Sequence, residues 1–454
     1  MLKIRENPYT QEDCLLAMTH IDHPLRISLA SEVHSRPFLA LDVTTDRAVT
    51  VTHLALFSGT ELDKHSSFLA SLCLHFGVAP PSEQAKHFFH DFGPFRLKWE
   101  NHTEFSTFTF ASAMDVADLD TAQRPLDHFA QMPTRHIPQQ WWQSLAGTLL
   151  AATHVTLLKG PPHGEVANGI RQQFTGSLVV GSHVLHGGEV WTDFQIQPDG
   201  FGRFLVFDND LREQQAGRLV QRLLEIDTYR MMALMALPRA LESGPTIRQL
   251  EQQLVKLTKD LVQPNTQTDE AQLLHDLSDL AAQVEVTAQS NSYRFSAAQA
   301  YYKIVASRIS ELREERIEGV PTIGEFMQRR LMPAMETCQS VANRQENLAQ
   351  RVARANDLLR TRVGISQEQQ NRDILQSLNQ RAAAQLRLQQ AVEGLSTVAI
   401  SYYLLGILHH GFDALHEAGS KLNPTVATGL ALPFVLGGVW WALQRLRKKA
   451  EQSE

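Results

Sequence analysis

The sequence predicts an α+β protein in three successive parts: an N-terminal mixed α/β domain (1–210), a helical region with a long stalk helix (211–390), and a C-terminal two-helix transmembrane hairpin (391–454). Three observations predict it. Alternating β-branched runs separated by Gly, Pro and Asp turns stop after Asp210. From Ala334 to Ala391 the chain has no proline and one glycine, Gly364. Two stretches near the end, 394–412 and 424–444, carry no formally charged residue.

Composition narrows the function. With 20% charged and 43% hydrophobic residues over 454 positions, the chain is ordinary for a globular protein and long enough for several cores. A net charge of -7 argues against a general nucleic-acid binder, which needs a basic footprint. Cys14, Cys73 and Cys338 lie far apart, giving neither a disulfide framework nor a thiolate metal site. The polar N-terminus has no apolar run of the signal-peptide kind, so the main body is expected to stay on the cytoplasmic side.

In the first part, Ala48–Phe57 alternates as a strand and Thr60–Phe76 has helical spacing. Phe95–Glu100 and Glu104–Phe110 read as a hairpin around Asn101, and Gln139–Leu149 reads as a helix. Leu178–Leu185, Glu189–Gln197 and Phe204–Asp208 read as strands, with turns at His186-Gly187-Gly188 and Pro198-Asp199-Gly200. In the second part Leu211–Leu237 is a helix ended by Pro238, followed by helices at Thr246–Leu261, Glu270–Ser290 and Phe295–Ile317 and a loop at 265–269.

The proline-free stretch is on the order of 85 Å long if helical throughout, at about 1.5 Å per residue. Leu348, Val352, Ala355, Leu359 and Val363 make one apolar stripe; Leu375, Leu378, Ala382 and Leu386 make another, with a polar band from Ser366 to Asp373 between them. Such stripes are the seam of a coiled coil or of packing within the chain, so homo-oligomerisation and self-packing both stay open. The helix is expected to run unbroken into the first span and to couple the soluble part to the bilayer.

A bilayer core of about 30 Å needs roughly 20 apolar helical residues. The second span meets this cleanly and carries Trp440 and Trp441 where an interfacial belt would lie. The first is more polar, with Ser396, Thr397, Ser401, His409 and His410. Arg381 and Arg387 precede the spans and Arg445, Arg447, Lys448 and Lys449 follow them, whereas the connector holds only Lys421. The positive-inside rule therefore puts both termini in the cytoplasm and the connector outside, with the lipid bilayer as the first partner.

Site candidates are few. Fifteen of the nineteen histidines precede residue 187, yet no HExxH is present. His87 and His90 could share a helical face, and His183 and His186 flank a strand end near Glu189, but surface or core roles fit both pairs better. No metal set can be named from these spacings. His23, Arg26, Glu32, His34 and Arg36 form a dense cluster that suits a phosphate, a carboxylate or a partner, and equally an ion-paired cap. Lys159–Gly164 is glycine-rich but lacks the GK[ST] ending of a phosphate loop. No nucleophile elbow or dinucleotide fingerprint occurs, so neither an enzyme nor a cofactor is expected. Glu393, at the start of the first span, precedes Thr397 and Ser401 at steps of four, a stripe that would line a pore or serve as helix–helix contact.

The strings HPLR…SEVHSRPF (23–38), RLVQRLLEIDTYRMMALMALP (218–238), YRFSAAQAYY (293–302) and the run from LLRTRV to SYY (358–403) resemble domain of unknown function family 3422. That resemblance covers nearly the whole chain and implies an uncharacterised bacterial membrane-anchored protein. The layout is also similar to the CorA type of magnesium channel, which has an α/β domain, a stalk helix entering the first span, a short outside loop and a second span with a basic tail. The Gly-Met-Asn sequence of that family is replaced here by LHHGFD (408–413), so magnesium selectivity is not implied. Two functions follow: a membrane-anchored scaffold or sensor, or a CorA-like homo-oligomeric channel passing a divalent cation. In the second, Glu393, Thr397 and Ser401 line the path and His409, His410 and Asp413 ring its outer mouth.

Overall fold

The computed structural model describes residues 41–450 except 42, 45–46, 60–62, 116–128, 130, 161–169, 171–173, 175–177, 213, 263–269, 420 and 422, and except the side chains of 63, 64, 115, 262 and 446–450. It divides into two compact units, Met1–Pro264 with His275–Ala353, and Asn265–Leu274 with Arg354–Glu454. The predicted loop at 265–269 and the cluster at 23–38 lie outside the described residues.

The first unit is built on one mixed sheet. Its elements run β1 (Arg47–Phe57), α1 (Asp63–His75), β2 (His87–Asp91), β3 (Arg96–Asn101), β4 (Phe105–Asp115), α2 (Gln139–Ser144), β5 (Leu149–Lys159), β6 (Val180–Val184), β7 (Gly188–Thr192) and β8 (Gly202–Asp208). Then come α3 (Gln215–Leu234), α4 (Ala236–Val262), α5 (Glu270–Leu312), β9 (Glu315–Arg316), α6 (Ile323–Arg330), α7 (Met332–Glu417) and α8 (Pro424–Ala450). The strand order is β2-β3-β4-β1-β5-β8-β7-β6-β9, antiparallel throughout except for the parallel pair β5–β8.

β1 forms because RAVTVTHLALF is rich in β-branched residues, and it is buried on both faces. On one face Leu54 and Leu56 join Leu97, Trp99, Phe108 and Phe110 from β3 and β4 under Leu69 and Leu72 of α1 and Trp141 of α2. Each such fully buried Leu or Phe contributes about 1.5–3 kcal/mol. Trp141 also donates its Nε1–H to Phe68 O at 2.9 Å, tying α2 to α1. On the other face Ala55 packs with Phe105, Ala151 and Met232 of α3.

The expected strands at 48–57, 95–100, 104–110 and 204–208 are present, as is the helix at 60–76. Five expectations are corrected. His87 and His90 lie on strand β2, where a separation of three puts side chains on opposite faces rather than on one helical face. The strand at 189–197 ends at Thr192. The helix at 139–149 stops at Ser144, and Leu149–Lys159 is the central strand β5, which the pattern hid. The helix expected at 270–290 and most of that expected at 295–317 are one 43-residue helix, α5, which ends at Leu312 ahead of strand β9. The break near Pro238 falls at Met235, and Pro238 sits in the first turn of α4, where its missing N–H costs little.

Two devices close the sheet edge. Thr322 and Glu325 form a capping box at the start of α6, and Glu314 accepts N–H groups of Ile323 and Gly324 at 2.8 Å each. At the β6–β7 turn, Gly187 O accepts from Asn209 N at 2.8 Å and Asp210 N at 2.9 Å.

In the second unit α7 continues without interruption to Glu417, and six residues separate it from Pro424, which opens α8. Ala355 and Leu359 are buried, and Arg362 pairs with Glu270 at 3.1 Å. From 367 to 396 every residue of α7 is exposed.

A Cβ added to Gly187 would stand 2.4 Å from Asp210 O, and the Asn209–Asp210 backbone is held in place by the two hydrogen bonds its N–H groups donate to Gly187 O. Gly187→Ala is therefore expected to cost about 1–3 kcal/mol, read as a lowered denaturation midpoint, while Gly93→Ala has open space around it and loses only its left-handed turn preference.

Candidate functional site

The polar groups of the first unit gather on the sheet beneath α3 and α5. His53 of β1 stands in register between Thr109 of β4 and Thr153 of β5. Its Nδ1 lies 2.8 Å from Thr109 Oγ1 and its Nε2 lies 3.0 Å from Thr228 Oγ1 on α3. Thr153 donates to Asp227, whose other oxygen accepts from Arg230 Nε at 2.7 Å. Gly202, paired with Thr153, presents no side chain there; an added Cβ would come within 4.0 Å of Asp227 Oδ2. On the opposite face His154 Nδ1 lies 2.9 Å from Thr52 Oγ1, and its ring stacks on Phe201 at 3.9 Å.

Burial holds His53 down at about 3 against the opposing pull of Asp227, and holds His154 at about 3 against that of Asp199. Both imidazoles are thus neutral at physiological pH. With both nitrogens of His53 engaged, it ties β1, β4 and α3 together rather than moving protons.

A second centre is Glu104, buried just before β4. Arg294 of α5 reaches it with Nη2 at 2.6 Å and Nη1 at 3.3 Å, and Tyr301 donates its hydroxyl at 2.8 Å. The Arg294 guanidinium lies 5.5 Å from the Phe57 ring centroid, and Tyr301 stacks on Tyr229 at 5.6 Å. Burial, then the Glu104 carboxylate, pushes the Tyr301 hydroxyl well above its ordinary range, and the same two causes raise Tyr293. The carboxylate is saturated by donors, so its work is to clamp α5 to the β3–β4 hairpin.

Between α3 and α5 lies a cleft of about 150 Å³ lined by Arg218, Gln221, Arg222, Glu225, Arg308 and Glu311. Arg308 pairs with Glu225 and, at 2.8 Å, with Glu311, which also meets Arg222 at 3.0 Å. Burial pushes Glu311 up, but Arg308 and Arg222 outweigh it and hold the carboxyl below its usual range. Arg218 makes no ion pair among the described residues.

The family model described as Protein of unknown function (DUF3422) matches residues 21–450. The chain belongs to this family. No curated protein matches it.

Two of the strings that resemble DUF3422 meet at these centres: 218–238 supplies Asp227, Thr228, Tyr229 and Arg230, and 293–302 supplies Tyr293, Arg294 and Tyr301. Sequence reasoning did not single out Glu104, because its partners are 190 and 197 positions away. Of the candidates it did single out in this DUF3422 member, His23, Arg26, Glu32, His34 and Arg36 lie outside the described residues. Glu393 is exposed, accepting at Oε1 from Gln389 Nε2 at 3.5 Å and at its carbonyl from Thr397 Oγ1 at 2.9 Å. Thr397 is half-buried and Ser401 is buried. His409 and Asp413 come together, Nε2 to Oδ2 at 3.7 Å, and His409 Nδ1 reaches Thr428 Oγ1 on α8 at 3.0 Å. His410 is exposed beside them. His183 meets Glu189 at 3.5 Å and His186 meets Glu315 at 3.0 Å, in separate pairs. Among the described residues no group of three or more His, Cys, Asp or Glu could hold a metal ion.

Removing one partner of the buried pair leaves the other charge uncompensated. Arg294→Met alone is expected to cost about 3–5 kcal/mol, and the double variant Arg294→Met, Glu104→Gln less, in denaturant titrations of the detergent-solubilised chain. The histidines set a pH dependence. Unfolded imidazoles protonate near pH 6.5 but the folded ones only near 3, so stability is full above pH 6.5 and falls as pH drops through that window. Each histidine is expected to contribute a slope of about 1.4 kcal/mol per pH unit there, and His154→Gln is expected to remove its share.

Proposed function

We propose that this protein is anchored in a bacterial plasma membrane by α7 and α8, with both termini cytoplasmic, and that its α/β unit serves as a scaffold or sensor. One observation carries the anchor. Two helices are long and apolar enough to cross a membrane, and only 6% and 11% of their apolar windows are buried. A core helix of a soluble protein would bury most of such a window. Phe434 is 80% exposed, and Trp440 and Trp441 stand 58% exposed with Arg445 5.0 Å from the Trp441 ring, an arrangement that suits the headgroup level. The basic residues at 445–449 against a lone Lys421 in the connector support the orientation. The binding role rests on the closed polar centres: His53 and Glu104 are spent on holding elements together, which favours a rigid platform over a catalyst.

A CorA-like homo-oligomeric cation channel is the second reading, favoured by exposed Glu393 standing directly ahead of Thr397 on one helix face. Divalent flux into proteoliposomes that falls with Glu393→Gln would support it, and flux-free vesicles would remove it.

For the anchor, the expected outcome is that the protein stays with membranes through an alkaline carbonate wash. A cysteine placed at Lys421 should react with an impermeant maleimide on intact spheroplasts, while one at Ser453 should react only after permeabilisation. Release by carbonate, or labelling of Ser453→Cys from outside, overturns the anchor or its orientation respectively.

A further inference from the structure

From 367 to 396 every residue of α7 is exposed, a run of thirty. A helix standing alone in water is normally charged all round. Here the nineteen residues 374–392 hold only two charges, Arg381 and Arg387, while Ile374, Leu375, Leu378, Leu386 and Leu388 are each more than half exposed. The apolar residues are ordered. Leu375, Leu378, Ala382 and Leu386 follow one another at steps of 3, 4 and 4, and Asn371 and Gln389 extend the row by steps of 4 and 3. The row repeats every eleven residues, 375 to 386 and 378 to 389, the period that keeps a stripe on one face of a nearly straight helix. Ile374 and Leu388 lie off the stripe. The stripe's next position is Glu393, already tied to Gln389 at 3.5 Å.

We infer that this stripe is the contact surface of α7 with α7 of a second copy of the chain, parallel and in register. The inference rests on the membrane reading above. Copies held by the same hairpin send their stalks from the same face of the bilayer at the same height, so identical residues meet and the local concentration is high. The stripe suits itself in that register. Asn371 and Gln389 each carry a donor and an acceptor, so like pairs with like, and such polar layers fix register in parallel helix bundles. Asp373 falls on the opposite face of the helix, and Glu368, one step of three ahead of Asn371, is neutralised within its own helix by Arg372 at 2.6 Å. A different protein would need a matching pattern of its own; a second copy already has one.

Cysteine crosslinking in membranes tests this on the whole chain, in a Cys14→Ser background where Cys73 and Cys338 are buried. Ala382→Cys and Leu378→Cys lie on the stripe and Ala384→Cys lies on the opposite face; all three sites are exposed, so folding is not at stake. Mild oxidation should give an adduct of twice the chain mass, several-fold more abundant at 378 and 382 than at 384. No adduct, equal adduct at 384, or an adduct of the stripe cysteines with a different protein overturns the inference. A carbonate wash of the same membranes scores the anchor separately: protein retained without stripe crosslinks sinks the self-contact alone, whereas protein released sinks the membrane reading.

Discussion

The burial of β1 on both faces is the constraint from which the first unit follows. A strand covered on one side by α1 and α2 and on the other by α3 must satisfy every polar side chain it carries. Thr50 meets Ser112 at 3.0 Å, Thr52 meets His154, and His53 meets both Thr109 and Thr228. Those contacts recruit β4, β5 and α3 respectively, so the strand's polar positions specify its neighbours while its apolar ones supply the driving force. Were β1 an edge strand, water would serve the same groups and nothing would fix the order β4-β1-β5.

The same logic explains why the charged groups of this unit are closed. Asp227 and Glu104 sit on the α3 and α5 side, where a bare carboxylate would be costly, and each is met by an arginine from a helix and a hydroxyl. The arginine comes from the next turn of the same helix for Asp227 and from a helix distant in sequence for Glu104. The first fixes a local geometry; the second closes the chain over on itself. The α3–α5 cleft repeats the theme at the surface with more cations than anions, since Arg218 is left over.

What could be read from the sequence followed local periodicity. β1, β3, β4 and β8 alternate or are dense in β-branched residues, and the two C-terminal apolar stretches lack charge, so these elements were legible. β5 was not, because LLAATHVTLLK buries Thr153, His154 and Thr156 along with Val155 and Leu157, leaving no alternation to see. β2 was misread because HFFHD offers five residues that suit either element. The join of α5 was hidden by Asn291 and the serines around it, poor helix formers that the packed interior overrides; Asn291 itself is buried and bonds Ser243 at 2.8 Å. The Glu104 centre was illegible for a different reason. Its members are ordinary residues one by one, and only the fold brings positions 104, 294 and 301 to one place.

α7 shows one helix meeting three environments through a change of side chains alone. Around Leu348 and Val352 its stripe is apolar and buried within the first unit. Around Leu375 and Leu386 the stripe keeps its apolar character but the helix surface is exposed, and amides rather than charges fill the remaining positions. From Gly394 to Phe412 there is no formal charge, and large apolar residues such as Leu395, Val398, Tyr402 and Ile407 are exposed while Ser401 is buried. An α-helix keeps its backbone hydrogen bonds internal, so one helix can carry surfaces of different polarity with no change of conformation. The middle portion is the one whose surface matches neither of its neighbours: too apolar for water, too polar for lipid. A surface of that intermediate kind is what a contact between helices requires, with leucines to bury and amides to set the register.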